Sequence, residues 1–229
     1  MVPAIILARG GSKRIPHKNI VKFCGKPLLA WSILQAKKAT TIDAVFVSTD
    51  DKKIGWVAEK SGARVIERPA QISGDHARSE DALKHAIAEI SGMFPERRIK
   101  YVVLLQATSP LRESCDIDRA VETIEREKAD SLFSAGKLGD FYIWKKSKGS
   151  LKSINYDYKN RKRSQEFGEQ FVENGSIYVF RPKTLLKYNN RLGGKIAVSL
   201  MDLWKSFEID DPESLRFCSD LFRLKKLNA

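Results

Sequence analysis

Short apolar runs alternate with stretches of helical spacing along almost the whole chain. Val2 to Ala8, Ala44 to Ser48, Arg64 to Ile66 and Lys100 to Gln106 read as strands. Tyr101 to Leu105 is apolar at every position. That pattern belongs to a strand covered on both faces, and so to a parallel central strand. Pro27 to Ala39 places Leu28, Leu29, Trp31, Ile33, Leu34 and Ala36 on the i, i+3, i+4 spacing of a buried helical stripe. Lys53 to Ser61 reads as a helix stopped by Gly62, and further helices cover Ser79 to Ile90, Asp116 to Lys128 and Pro182 to Tyr188. Ser131 to Ala135, Phe171 to Phe180 and Lys195 to Leu200 supply later strands. The last helix opens at Pro212 behind an Asp211 cap.

Strands separated by helices predict an α/β fold, a Rossmann-like and mainly parallel sheet flanked by helices. Residues 1–229 then form a single domain. One stretch breaks the rhythm. Residues 137–172 hold alternating pieces such as Phe141-Tyr142-Ile143-Trp144, the run Lys145 to Gly149, and the cationic Asn160 to Gln165. They read as an inserted arm of β-hairpins that leaves the main body.

Composition changes this picture in three ways. No apolar run approaches the roughly 20 residues of a membrane span, and Met1 onward lacks a signal-peptide layout, so a cytoplasmic protein without a membrane partner is expected. Cys24, Cys115 and Cys218 are widely spaced and form no zinc or disulfide pattern, leaving idle thiols. The net charge of +13 requires either a polyanionic partner or a role in solubility. Nucleic acid is the weaker candidate, since neither base-stacking interleaving of aromatic and basic residues nor a helix-turn-helix or RNP pattern occurs.

A small polyanion fits the first strand end. After Val2 to Ala8 the chain breaks at Gly10-Gly11, with Arg9, Lys13, Arg14 and Lys18 around the glycines. A strand, a glycine turn with accessible N–H groups and a cluster of cations together make a phosphate cradle. The spacing matches neither GxxxxGK[ST] nor GxGxxG. Polar clusters follow the other strands. Thr49-Asp50-Asp51 reads as the cap of the next helix, and a long loop from Glu67 leads to Ser79, placed as an N-cap. Gln106-Ala107-Thr108-Ser109-Pro110-Leu111-Arg112 follows the most buried strand, where ligands of open α/β sheets sit, although a simple turn also accounts for it. Asn174-Gly175 is a turn dipeptide. Near the end, Glu208 and Asp210 are two apart, so on a strand both point to one face and can share a cation.

Taken in order, A-R-G-G-S-K-x-x-P-x-K-N, the R-P…D-x-A-x-S loop, L-Q-x-T-S-P-L-R and N-G-S-I-Y resemble the signatures of the cytidylyltransferases that activate sialic acid and related keto-sugar acids. The resemblance implies a nucleotidyltransferase fold and transfer of CMP from CTP to the anomeric hydroxyl of a nine-carbon α-keto sugar acid, with release of pyrophosphate. By the same resemblance Ala8, Arg9, Gly10, Gly11, Ser12, Lys13, Lys18, Asn19, Arg68 and Ser79 bind the nucleotide. Gln106, Thr108, Ser109, Arg163, Gln165, Asn174 and Tyr178 face the sugar, and Arg9, Lys18 and Asp210 serve catalysis. Mg²⁺ falls to Asp210 with Glu208, where the family carries two aspartates and this chain departs from it. The arm implies a homodimer in which it closes the partner's sugar pocket. A nucleotidyltransferase for another sugar or nucleotide, such as 3-deoxy-octulosonate, and a basic nucleic-acid-binding module are the alternatives.

Overall fold

The computed structural model describes residues 1–139, 141–161 and 168–227. Strand β1 (Pro3–Leu7) leads through a two-residue pair, β2 (Lys22–Phe23) and β3 (Lys26–Pro27), into helix α1 (Leu28–Lys38). Then come β4 (Ala44–Thr49), α2 (Lys52–Lys60), β5 (Arg64–Glu67), α3 (Ser79–Met93), β6 (Val102–Leu105) and α4 (Ser114–Arg126). After β7 (Ser131–Lys137), the strands β8 (Trp144–Ser147) and β9 (Ser150–Ser153) form a hairpin paired only with itself among the described residues. The chain returns with β10 (Phe171–Phe180), α5 (Pro182–Tyr188), β11 (Ile196–Leu200) and α6 (Pro212–Leu224).

The main sheet has seven strands in the order β11-β7-β10-β6-β1-β4-β5, and only β10 runs antiparallel to its neighbours. The pleat divides the core. Ala4, Ile6, Val47 and Val103 face α1, α2 and α4 through Leu29, Ile33, Ile54 and Ile124. Ile5, Phe46, Val102 and Leu104 face α3 and α5 through Leu83, Ala86, Ile90 and Leu185. Burial on both sides explains why the central strands are apolar at every position. A third cluster joins Phe23, Leu28, Trp31, Leu111 and Ile209 to Phe222 of α6. Trp31 donates its indole N–H to the Phe23 carbonyl (2.8 Å), and its ring lies 4.5 Å from that of Phe222. This cluster brings the acidic residues ahead of α6 back to the loop after β1.

Several local expectations need correction. Arg78, not Ser79, is the N-cap of α3, and Ser79 is the first helical residue. Helix α4 begins at Ser114, two residues early, because Glu113 and Asp116 form a reciprocal capping box. Asp51 caps α2 by accepting from the Lys53 and Ile54 amides, whereas Asp50 does not cap. Glu208 and Asp210 lie on no strand; a 3₁₀ turn at Leu203–Ser206 and extended coil precede α6. Alternation survives there because buried Ile209 donates its amide to the Thr108 carbonyl (2.8 Å), leaving both acids on the other side of the chain. The Asp211 cap forms, with its side chain accepting from the Ser214 amide.

Between β7 and β10 the chain forms a hairpin that stands outside the seven-stranded sheet. The hairpin is stiffened by rings, with Trp144 within 5.8 Å of Tyr156 and 5.2 Å of Tyr158, and it exposes Phe141, Leu151 and Ile154. Arg163 and Gln165, read from sequence as sugar contacts, lie outside the described residues. Among those residues no helix is long and apolar enough to cross a membrane.

Candidate active site

All the parallel strands end on one edge of the sheet, and the sequence-marked residues follow those ends. Ala8 is buried and extends the β1 ladder by donating its amide to the Ser48 carbonyl (3.0 Å). The chain then leaves the sheet at Arg9. Asn19 closes the loop by donating its side-chain N–H to the Arg9 carbonyl (3.0 Å). A Cβ at Gly10 would meet the Asp51 carboxylate at 2.8 Å, and that carboxylate is held in place by the Lys53 and Ile54 amides, so the close fit favours glycine there. The Gly10 amide donates to Asp50 (3.1 Å), while Gly11 has nothing within 4 Å of a Cβ position and presents an open backbone.

Three cations of this loop already hold anions. Lys18 Nζ sits 2.9 Å from Asp210 Oδ1. Arg9 Nη1 is 3.2 Å from Asp75 Oδ1 and donates to the Gly74 carbonyl (3.0 Å). Lys13 Nζ is 2.6 Å from Asp75 Oδ2, and that hydrogen bond, with the Lys13 and Arg9 charges, holds the Asp75 carboxyl below the usual range. Arg9, Ser12, Lys13, Lys18, Asn19 and Asp210 line one cavity of about 400 Å³. Arg9 also lines a second, of about 290 Å³, together with Arg68, Gly74, Asp75 and Ser79. Buried Arg68 donates Nε to the Ser48 hydroxyl (3.0 Å) and Nη2 to the Ser48 carbonyl (2.5 Å). The two cavities therefore meet at Arg9.

A third group forms where β10 passes the end of β6. Ile177 pairs with Leu105, so Asn174 and Gly175 lie beyond the carboxyl end of β6. Gly175 has φ +66°, and a Cβ there would strike the Glu208 carboxylate and come within 2.7 Å of Gln106 Nε2. Glycine is required for both reasons. Ser109 donates its hydroxyl to Glu208 (3.2 Å), and the Thr108 hydroxyl faces Gln106 Oε1 at 3.5 Å. Burial pushes the Glu208 carboxyl above the usual range, and the negative charge of Asp210 adds to this, against the Ser109 hydrogen bond.

Two predicted sugar contacts point elsewhere. Asn174 is buried: its Oδ1 accepts from the Ser134 hydroxyl (2.6 Å), and its Nδ2 faces Ser206 Oγ at 3.5 Å. Tyr178 packs in the α3 and α5 layer and donates its hydroxyl to Glu173. Burial and then that bond push its pKa up to about 12, so it stays protonated.

A family model described as "Cytidylyltransferase" matches residues 3–228, almost the entire chain. The chain belongs to the cytidylyltransferase family. It is 35% identical over 212 residues to N-acylneuraminate cytidylyltransferase A of Danio rerio, covering 91% of this chain and 48% of that protein. It is 31% identical over 232 residues to pseudaminic acid cytidylyltransferase of Campylobacter jejuni, covering 98% and 97% respectively. The chain thus spans about half the length of the fish relatives and nearly all of the bacterial one. In three dimensions it superposes on a CMP:2-keto-3-deoxy-manno-octonic acid synthetase with a TM-score of 0.71 at 17% identity, covering 98% of this chain and 99% of that one, which establishes the shared fold.

The sequence of this chain does not by itself reveal Asp75, Asp50 and Ser48 as members of the candidate site. Asp75 stands in the D-x-A-x-S segment beside residues that were singled out, but its partners Arg9 and Lys13 are more than 60 positions away. Asp210 offers a half-exposed carboxylate, the oxygen chemistry a hard divalent ion takes, with one oxygen held by the Lys18 ammonium that such an ion would have to displace. The other acidic group, Glu113 and Asp116 beside Cys115, is different. There Lys205 bridges both carboxylates at 2.7 Å and Arg119 lies 3.3 Å from Asp116, so two cations balance the two acids.

Proposed function

We propose that the protein transfers CMP from CTP to the anomeric hydroxyl of a nine-carbon α-keto sugar acid such as an N-acylneuraminate, legionaminate or pseudaminate, releasing pyrophosphate. The observation that carries this is the pair of cavities joined at Arg9, one ringed by Lys13, Lys18 and Asp210 and the other by Arg68 and Ser79. A triphosphate fits the first and a base the second. The wall formed by Gln106, Ser109 and Gly175 receives the acid, adjoining Asp210 through Glu208.

Arg9, Lys13 and Lys18 would exchange their carboxylate partners for phosphate oxygens and stabilise charge on the departing pyrophosphate. Arg68, fixed by Ser48, directs its remaining donor capacity at the cytosine edge. Asp210, with Glu208 beside it, would hold Mg²⁺, which supplies charge neutralisation at the α-phosphate and eases deprotonation of the hydroxyl. Names among the relatives support the substrate class: two of them act on N-acylneuraminate and pseudaminic acid.

The test is pyrophosphate release from CTP with Mg²⁺ and a panel of sialic, legionaminic, pseudaminic and 3-deoxy-octulosonic acids. Turnover is expected with a nine-carbon acid and is expected to stop on adding EDTA. Release with the eight-carbon acid alone selects the alternative sugar, and no release with any acid rejects the proposal.

The same reading makes the hairpin a dimer contact, because Phe141, Leu151 and Ile154 are exposed beside Trp144 on a strand pair with no other cover among the described residues. Light scattering at micromolar concentration should give twice the 25.9 kDa chain mass. A monomer mass removes the dimer.

A further inference from the structure

Behind Gln106 lies a charge that the proposed reaction does not use. Arg112 is completely buried, and no acid lies within ion-pair distance of it among the described residues. Its fork reaches three elements instead. Nη1 donates to both the carbonyl and the hydroxyl of Ser176 in β10, at 3.2 Å each. Nη2 donates to the Gln106 carbonyl at the end of β6 (2.9 Å) and to the Ser32 hydroxyl of α1. The Nε–H has no hydrogen-bond partner among the described residues. The Ser176 carbonyl also accepts from the Gln106 amide (3.3 Å), so Gln106 and Ser176 are tied twice.

This is a costly way to fill a core. An apolar side chain of similar volume commonly serves as well as a buried charge. Burial pushes Arg112 down to about 9, while the negative charges of Asp116 and Glu208 act the other way. Asp116 is already engaged by Lys205 at 2.7 Å and by Arg119 at 3.3 Å. Glu208, next to Gly175, receives the Ser109 hydroxyl and no other hydrogen bond among the described residues. Every Arg112 acceptor except Ser32 belongs to the two residues that flank the Gln106–Gly175 wall.

We infer that Arg112 is a positioning residue: its guanidinium fixes the spacing between the Gln106 end of β6 and the irregular Gly175–Ser176 stretch inside β10, where the pairing with β7 shifts register rather than turning as the Asn-Gly dipeptide suggests, and thereby preforms the wall that holds the keto sugar acid. The inference rests on the function proposed above. It assigns Arg112 no contact with substrate and no proton transfer.

The experiment measures kcat and the two KM values, for CTP and for the accepted acid, in wild type, Arg112→Met and Arg112→Lys. In Arg112→Met the acid KM should rise about tenfold or more, as misplaced positioning groups do, with the CTP KM within about twofold. Arg112→Lys should show the same split and no rescue, because a single ammonium cannot bridge three elements. Should Arg112→Met fail to fold, Ser176→Ala removes only the hydroxyl acceptor and is expected to raise the acid KM about threefold with CTP unaffected. Both KM values rising together, or an unchanged acid KM in a folded variant, overturns the positioning role. A wild-type protein inactive with every acid overturns the functional proposal itself and this inference with it.

Discussion

Asp210→Ala abolishes turnover while CTP stays bound. Metal assistance to phosphoryl transfer is worth several kcal/mol, and each 1.4 kcal/mol is a factor of ten, so pyrophosphate release should fall by about 10³-fold or more. Binding is expected to move the other way. In the free protein the Asp210 carboxylate holds Lys18 Nζ at 2.9 Å. Removing it frees an ammonium on the wall of the triphosphate cavity. CTP titrated calorimetrically in EDTA should therefore bind the variant at least as tightly as wild type. Normal turnover in Asp210→Ala would remove the metal assignment. Loss of CTP binding in EDTA would instead make Asp210 a structural prop for the loop.

Gly175→Ala should be nearly as severe, for a different reason. The backbone at φ +66° costs a Cβ-bearing residue roughly 1–2 kcal/mol. The new methyl would also enter the space of the Glu208 carboxylate and approach Gln106 Nε2 to 2.7 Å. Both side-chain ends would have to swing away, and that displaces the two groups that form the wall with Gly175. The acid KM should rise by about 10² and the melting temperature fall by a few degrees, while a CTP thermal shift persists. A variant with wild-type kinetics for the acid would mean that this wall is not where the acid binds.

The sheet was largely legible in the sequence because burial on both faces leaves apolar runs, and because helical stripes such as Leu29, Ile33 and Ala36 recur at their own period. Site residues were legible where they follow a strand end within a few positions, as with Arg9, Arg68 and Gln106. Errors came where two local uses of one residue type compete. Asp50 and Asp51 both resemble caps, but only Asp51 has its carboxylate over the amides of Lys53 and Ile54, and Asp50 turns to Gly10. Ser79 falls one residue inside its helix, so its hydroxyl is not needed at the terminus. The strand expected at Glu208 and Asp210 lacks a partner: a single bond from Ile209 to Thr108 is too little for a ladder. Asp75 and Arg112 could not be placed at all, since what makes each matter is a contact across the fold with residues far away in the chain.

The loop that would receive a polyphosphate carries its own counter-anions. Arg9 and Lys13 share Asp75, and Lys18 has Asp210, so three cations share two carboxylates before any ligand arrives. Such a cradle never stands bare. In the proposed reaction these side chains would swing back to their resting mates as pyrophosphate departs, so that release would not leave three unpaired cations behind.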